Sequence, residues 1–152
     1  MRRRLVRDER GQVGIELPFG VLTFVVGALL VANAWAVIDA KMAVSAAARE
    51  ATRAFVEAPV DEDPLAMADA AARSAIEGAG RDPAQLVLTP LDATFARCET
   101  VLFEASYQIP AVRVPFLGGF GSGFTATARH AEVVDPYRTG VPRSVNGCVS
   151  TP

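Results

Sequence analysis

From Leu17 to Ile38 the chain runs 22 positions without a charge, directly after a basic leader and a single acid, Glu16. As a helix rising about 1.5 Å per residue, that run is roughly 33 Å long, enough to cross a hydrocarbon core of about 30 Å. Arg2, Arg3, Arg4, Arg7 and Arg10 precede it, whereas the first positions after it mix Asp39 with Lys41. The positive-inside rule then keeps the leader in the cytoplasm and sends the remainder across. The expectation is a single-pass protein of the cytoplasmic (inner) membrane with an extracytoplasmic body. At 152 residues there is room for one domain plus that anchor. A net charge of -2 weighs against a nucleic-acid partner.

Three readings of the amino terminus compete. One is an uncleaved signal anchor. A second is a secretory signal peptide, for which Ala32-Asn33-Ala34 and Ala34-Trp35-Ala36 offer small-x-small cleavage patterns. Against it, no helix breaker precedes those alanines, and helix-forming sequence continues to Ala58. The third reading uses Glu16. Cleavage after Gly11 would make Gln12 the new terminus and Glu16 its fifth residue, a pattern that resembles type IV prepilins and pseudopilins. A charged carboxylate in a membrane helix costs on the order of 2.5–3.5 kcal/mol on insertion scales. A position near the helix start softens that cost, and the freed α-amine of a neighbouring subunit would offset it further. The plainer account is an interfacial acid favoured by the helix macrodipole.

Beyond the apolar run, "DAKMAVSAAAREATRAFVEA" (39–58) reads as a continuation of the same helix. Val44, Ala47, Ala48, Ala51 and Phe55 recur at spacings of three and four, forming one apolar stripe. Arg53 can pair with Glu50 and Glu57 off that stripe. Pro59 and "DEDP" (61–64) stop the helix, and Pro18 is a possible kink near its start. Within the span, Ala28, Ala32, Ala36 and Ala40 repeat every four residues, which suits close lateral packing of helices in lipid; a chance row in an alanine-rich chain reads the same. Asn33 either bonds across such a helix pair or bonds its own backbone.

These residues carry a family resemblance. Arg10-Gly11, then Ile15-Glu16-Leu17, then Gly20 and Gly27 in the apolar helix, then Ala47-Ala48-Arg49-Glu50-Ala51 beyond it, resemble the TadE-like proteins of the tight-adherence (Tad/Flp) pilus machinery. The match covers about residues 9 to 56. It implies a minor pseudopilin cut by a prepilin peptidase, working with other pilins or pseudopilins and the pilus assembly platform in the lipid bilayer. Leu17 departs from the tyrosine usual at that place in major Flp pilins, and the chain far exceeds such a pilin in length. Both point away from the major subunit.

The resulting division is 1–11 leader, 12–58 transmembrane and stem helix, 59–134 exported head and 135–152 loose tail. A second helix is expected over 64–80, with Leu65, Ala68, Ala72 and Ile76 facing the core and Gly78 and Gly80 at its end. An edge strand interrupted by Pro90 is expected over 85–91. In "ETVLFEASYQI" (99–109), Val101, Phe103, Ala105, Tyr107 and Ile109 alternate with polar positions, Leu102 being the exception. A weaker strand follows over 123–134, joined to the previous one by a flexible turn, "PFLGGFGSG" (115–123), whose phenylalanines are expected to be exposed. The fold class is therefore α+β: a long helix, a short helix and a small antiparallel sheet of about three strands, with the outer half of the stem helix completing the core.

Cys98 and Cys148 both fall in the exported part, where a disulfide between them is favoured over two independent thiols. Catalysis finds little support. His130 stands alone in a strand, the glycine-rich 118–123 stretch lacks the lysine and helix of a phosphate cradle, and Asp61, Glu62 and Asp63 form a solvated cluster at a helix start. No cofactor or metal is expected, and the chain reads as a substrate of an enzyme. The reading from another functional class is an anchored envelope protein whose exported domain binds a partner or ligand.

Overall fold

The computed structural model describes residues 13–109, 112–114, 118–120, 123–145 and 148, with side chains over 16–109, 123–145 and at 148. Its elements are α1 (Val13–Glu57), α2 (Pro64–Gly78), β1 (Leu86–Asp92), β2 (Thr100–Ile109), β3 (Val112–Val114), β4 (Gly118–Phe120) and β5 (Phe124–Val133). Two compact units divide the chain, one ending at Ala36 and the other starting at Val37.

The first unit is helical from Val13 and continues through Pro18 in its second turn. Its outward residues are apolar: Leu17, Phe19, Leu22 and Phe24 are all exposed. Two polar side chains turn back onto the helix itself. Thr23 donates to Phe19 O at 2.9 Å, and Asn33 donates to Leu29 O at 2.8 Å. The second of these is the own-backbone alternative for Asn33, which lowers the cost of an amide in an apolar run.

The second unit is the α+β head. The three-stranded antiparallel sheet has the order β1-β2-β5, so β1 is the edge strand expected from Pro90, which opposes Phe103 at a register shift before Asp92. On β2, Val101, Phe103, Ala105, Tyr107 and Ile109 are buried, as their alternation requires. Leu102 falls on the opposite, half-buried face, between Asp92 and Ala131. On that outer face Arg129 pairs with its cross-strand neighbour Glu104 at 2.5 Å.

The head core is closed by α1. The expected stripe Val44, Ala47, Ala48, Ala51 and Phe55 is fully buried, joined by Ala40, Ala43 and Val56. Alanines at this spacing let the helix backbone approach the sheet closely, and Phe55 then fills the space at the far end. Its ring lies 5.4 Å from that of Phe103 and 5.5 Å from that of Phe95, the latter edge-on. Thr52 is the one buried polar residue among the described side chains. Its hydroxyl donates to Ala48 O at 2.7 Å and lies 3.3 Å from His130 O, so it ties α1 to β5 without leaving a group unsatisfied. Off the stripe, Arg53 lies 3.8 Å from Glu50 and 3.7 Å from Glu57.

Helix α2 begins on Asp63, whose carboxylate accepts from Leu65 N at 3.0 Å, with Pro64 in the first turn. Ala68, Ala72 and Ile76 are buried as expected; Leu65 is not, being 46% exposed because its position in the first turn lies beyond the edge of the sheet-facing stripe. Asp69, one turn before Arg73, accepts a hydrogen bond from it and holds its guanidinium above the ordinary range. The helix ends at Gly78, short of the expected Gly80, in a turn that requires that glycine. Gly80 has φ +70, its N–H reaches Glu77 O at 2.8 Å and Arg81 N–H reaches Ile76 O at 3.1 Å. The turn aims Arg81 at Asp39, 2.6 Å away, beneath the Tyr107 ring.

Two further expectations are corrected here. The 115–123 connection is not merely a flexible turn, because Gly118–Phe120 forms β4, paired antiparallel with β3 as a separate ribbon. Backbone ladders of this kind need no side-chain alternation, so the glycines disguise them. The expected exposure of Phe116 and Phe120 lies outside the described side chains. The tail from Asp135 is not loose through its described residues. Arg97 N–H donates to Pro142 O at 2.8 Å, Ser144 N–H to Arg97 O at 3.3 Å, and Val141 is buried. Arg138 donates to Ala58 O and stacks on Phe95. Gly140, at φ +82, passes so close to Val60 that an added Cβ would stand 3.0 Å from its Cγ2. Cys98 and Cys148 are joined by a disulfide across 5.0 Å between their Cα atoms.

Candidate functional site

Helix α1 supplies the residues on which a functional reading turns. Glu16 sits in its first turn, exposed, where the unpaired backbone N–H groups of a helix start favour a carboxylate. Gly11 and Gln12, the expected processing residues, lie outside the described residues. From Glu16 onward α1 is long and apolar enough to cross a membrane, by length and composition. That is one helix with nothing of its apolar window buried within the chain, so its side chains face whatever surrounds the protein.

The row of alanines divides. Ala28 and Ala32 are exposed, Ala36 is half-buried and Ala40 is completely buried in the head core. Ala40 is therefore not available for lateral packing, a correction to its expected role. Ala40 belongs to the second unit, where it is packed in the core of the head. In the first unit, Gly27, Ala28, Val31 and Ala32 form the floor of a shallow groove of about 760 Å³ walled by Phe24 and Trp35. Sequence reading named Ala28 and Ala32 for helix packing, and Gly27 and Trp35 on other grounds. The positions 24, 27, 28, 31, 32 and 35 follow the three-and-four spacing of one helix face, so that signal was available.

No family model, no curated protein and no solved structure matches the chain.

In the head, His130 lies half-buried on β5, with its backbone carbonyl facing Thr52. Asp63 is used as a helix cap, while Asp61 and Glu62 are exposed in the preceding turn. Among the described residues, no group of three or more His, Cys, Asp or Glu side chains is placed to hold a metal ion. On the face of α1 away from the core, Ile38, Lys41, Met42 and Arg49 are exposed together. A pocket beside the disulfide gathers Arg97, Tyr137 and Arg143, none of which the sequence singled out; they come from segments 40 or so residues apart with no shared periodicity.

Proposed function

We propose that the chain is a minor pseudopilin of a Tad/Flp-type pilus, made as a prepilin, cut after Gly11 and held by α1 in the cytoplasmic membrane until it is used. The observation that carries this reading is the isolated carboxylate of Glu16 at the head of an otherwise apolar, outward-facing helix. Within lipid such a group calls for a cationic partner. The α-amine exposed on Gln12 of a neighbouring subunit is that partner, and it exists only after cleavage. Lateral packing of the mature helices brings amine and carboxylate together, and the groove between Phe24 and Trp35 receives a neighbouring helix by close packing on small residues. The α+β head, anchored by the outer half of the same helix, then faces outward.

Glu16→Ala tests the pairing. The substitution makes the helix more apolar, so membrane insertion should be unchanged, as read by carbonate-resistant membrane association. Pilus assembly, scored by electron microscopy and by sheared surface protein, should fall to the level of a strain lacking the protein. Normal pili on cells carrying Glu16→Ala would contradict the pairing.

A further inference from the structure

Among the described residues the head has four half-buried arginines: Arg73, Arg81, Arg97 and Arg138. Three are answered within the fold. Arg73 pairs with Asp69, Arg81 with Asp39, and Arg138 donates to Ala58 O over the Phe95 ring. Arg97 differs in that none of the described residues answers its guanidinium in this way. Its Nε is shut off from solvent without a hydrogen-bond partner, and no carboxylate stands within ion-pairing distance of its guanidinium among the described residues. A partly buried cation without a counter-charge is costly, and folds rarely keep one unless something else meets it.

The surroundings of Arg97 are shaped to admit such a counter-charge. Arg97, Arg143, Ser144, Pro136, Tyr137 and Cys148 line a pocket of about 490 Å³, within the range of sites for small ligands. The two arginines are set side by side by a parallel backbone bridge, with Arg97 N–H on Pro142 O and Ser144 N–H on Arg97 O. Cys98, next in the chain, is fixed twice more, by its N–H to Val134 O at 2.9 Å and by the disulfide to Cys148. Both cations therefore stand on a braced backbone, which reduces the ordering cost of binding.

The nearby acids set the charge of the ligand. Glu99 accepts from the Ser144 hydroxyl, and Asp135 accepts from Tyr137 N–H at 2.7 Å. Each answers a neutral donor and not an arginine, and the charge of each disfavours a doubly negative ligand more than a singly negative one. Pro136 and the exposed Tyr137 ring offer a flat apolar wall for the body of the ligand.

We propose that this pocket binds a carboxylate carried on a ligand of amino-acid or sugar size, with Arg97 and Arg143 gripping the charge and Tyr137 the body. Guanidinium forks match carboxylate geometry and give the strongest class of hydrogen bond. The site stands independently of the assembly reading, since it uses no residue of α1.

The test uses the full chain in detergent micelles, titrated with glucuronate and with N-acetylglycine and followed by NMR. The methyl ester of each and inorganic phosphate serve as controls. The expected result is saturable shifts at Tyr137 with at least one carboxylate, and none with its ester. Arg97→Gln and Arg143→Gln should each weaken binding about tenfold. Because Arg143 is exposed, Arg143→Gln should melt as the wild type does, separating lost binding from lost folding. Glucuronate alone binding identifies an acidic sugar as the source, and N-acetylglycine alone a peptide carboxyl terminus. Silence with both carboxylates, equal binding of the esters, tighter binding of phosphate, or wild-type affinity in Arg143→Gln would overturn the proposal.

Discussion

Phe55→Ala should cost about 3–5 kcal/mol of head stability, the usual penalty for deleting a buried phenylalanine ring. The site gives little scope for relaxation. Phe55 is 1% exposed and wedged between the Phe95 and Phe103 rings. It comes from α1, Phe95 from the segment after β1 and Phe103 from β2, so the cavity would open where three parts of the head meet. Denaturant unfolding of the full chain in detergent, followed by tyrosine fluorescence or near-ultraviolet dichroism, reads the loss. Phe24→Ala is the matched control. Phe24 is 76% exposed in the first unit, and its truncation should leave head stability unchanged. A loss below about 1 kcal/mol for Phe55→Ala would show that α1 does not complete the core as described.

Removing the Cys98–Cys148 crosslink should have an effect of the same size. The bridge closes a loop with a sequence separation of 50, worth about 4 kcal/mol in the chain-entropy model. For a head of this size that corresponds to a fall in melting temperature on the order of 15 °C on adding reductant or in the double variant Cys98→Ser/Cys148→Ser. The effect should concentrate in the tail. Val141 and the backbone pairing of Arg97 with Pro142 and Ser144 hold it against the head, and hydrogen exchange there should rise first. An unchanged melting temperature, or two free thiols in protein recovered from membranes without reductant, would set this account aside.

Much of the head was legible in sequence where burial follows a period. The stripe on α1 and the alternation on β2 are each set by one element facing one core, and their residues are found buried. Leu102 broke the alternation for a local reason: it lies on the outer face beside Ala131, half-covered by its neighbours. Legibility ends where backbone hydrogen bonds take over. The β3–β4 ribbon contains Gly118 and Gly119, whose missing side chains conceal a ladder. The disulfide that holds the tail was read from the two cysteines, but its main-chain bonds and the close pass of Gly140 over Val60 leave no hydrophobic period. Ala40 shows a different limit. A small residue on an apolar helix suits close packing by another helix and by a sheet alike, and sequence alone does not say which. Arg97 and Arg143 were invisible for a third reason, since only the fold brings them together.

The mature amino terminus tests the central claim most directly. The intact mass and terminal sequence of the protein isolated from native membranes should begin at Gln12, the arginine-rich leader gone and the α-amine free to meet Glu16 of a neighbour. Material retaining Met1 would contradict the account, leaving an anchored head. A start at Trp35 or Val37 would contradict it differently, by releasing the head from α1's apolar span altogether.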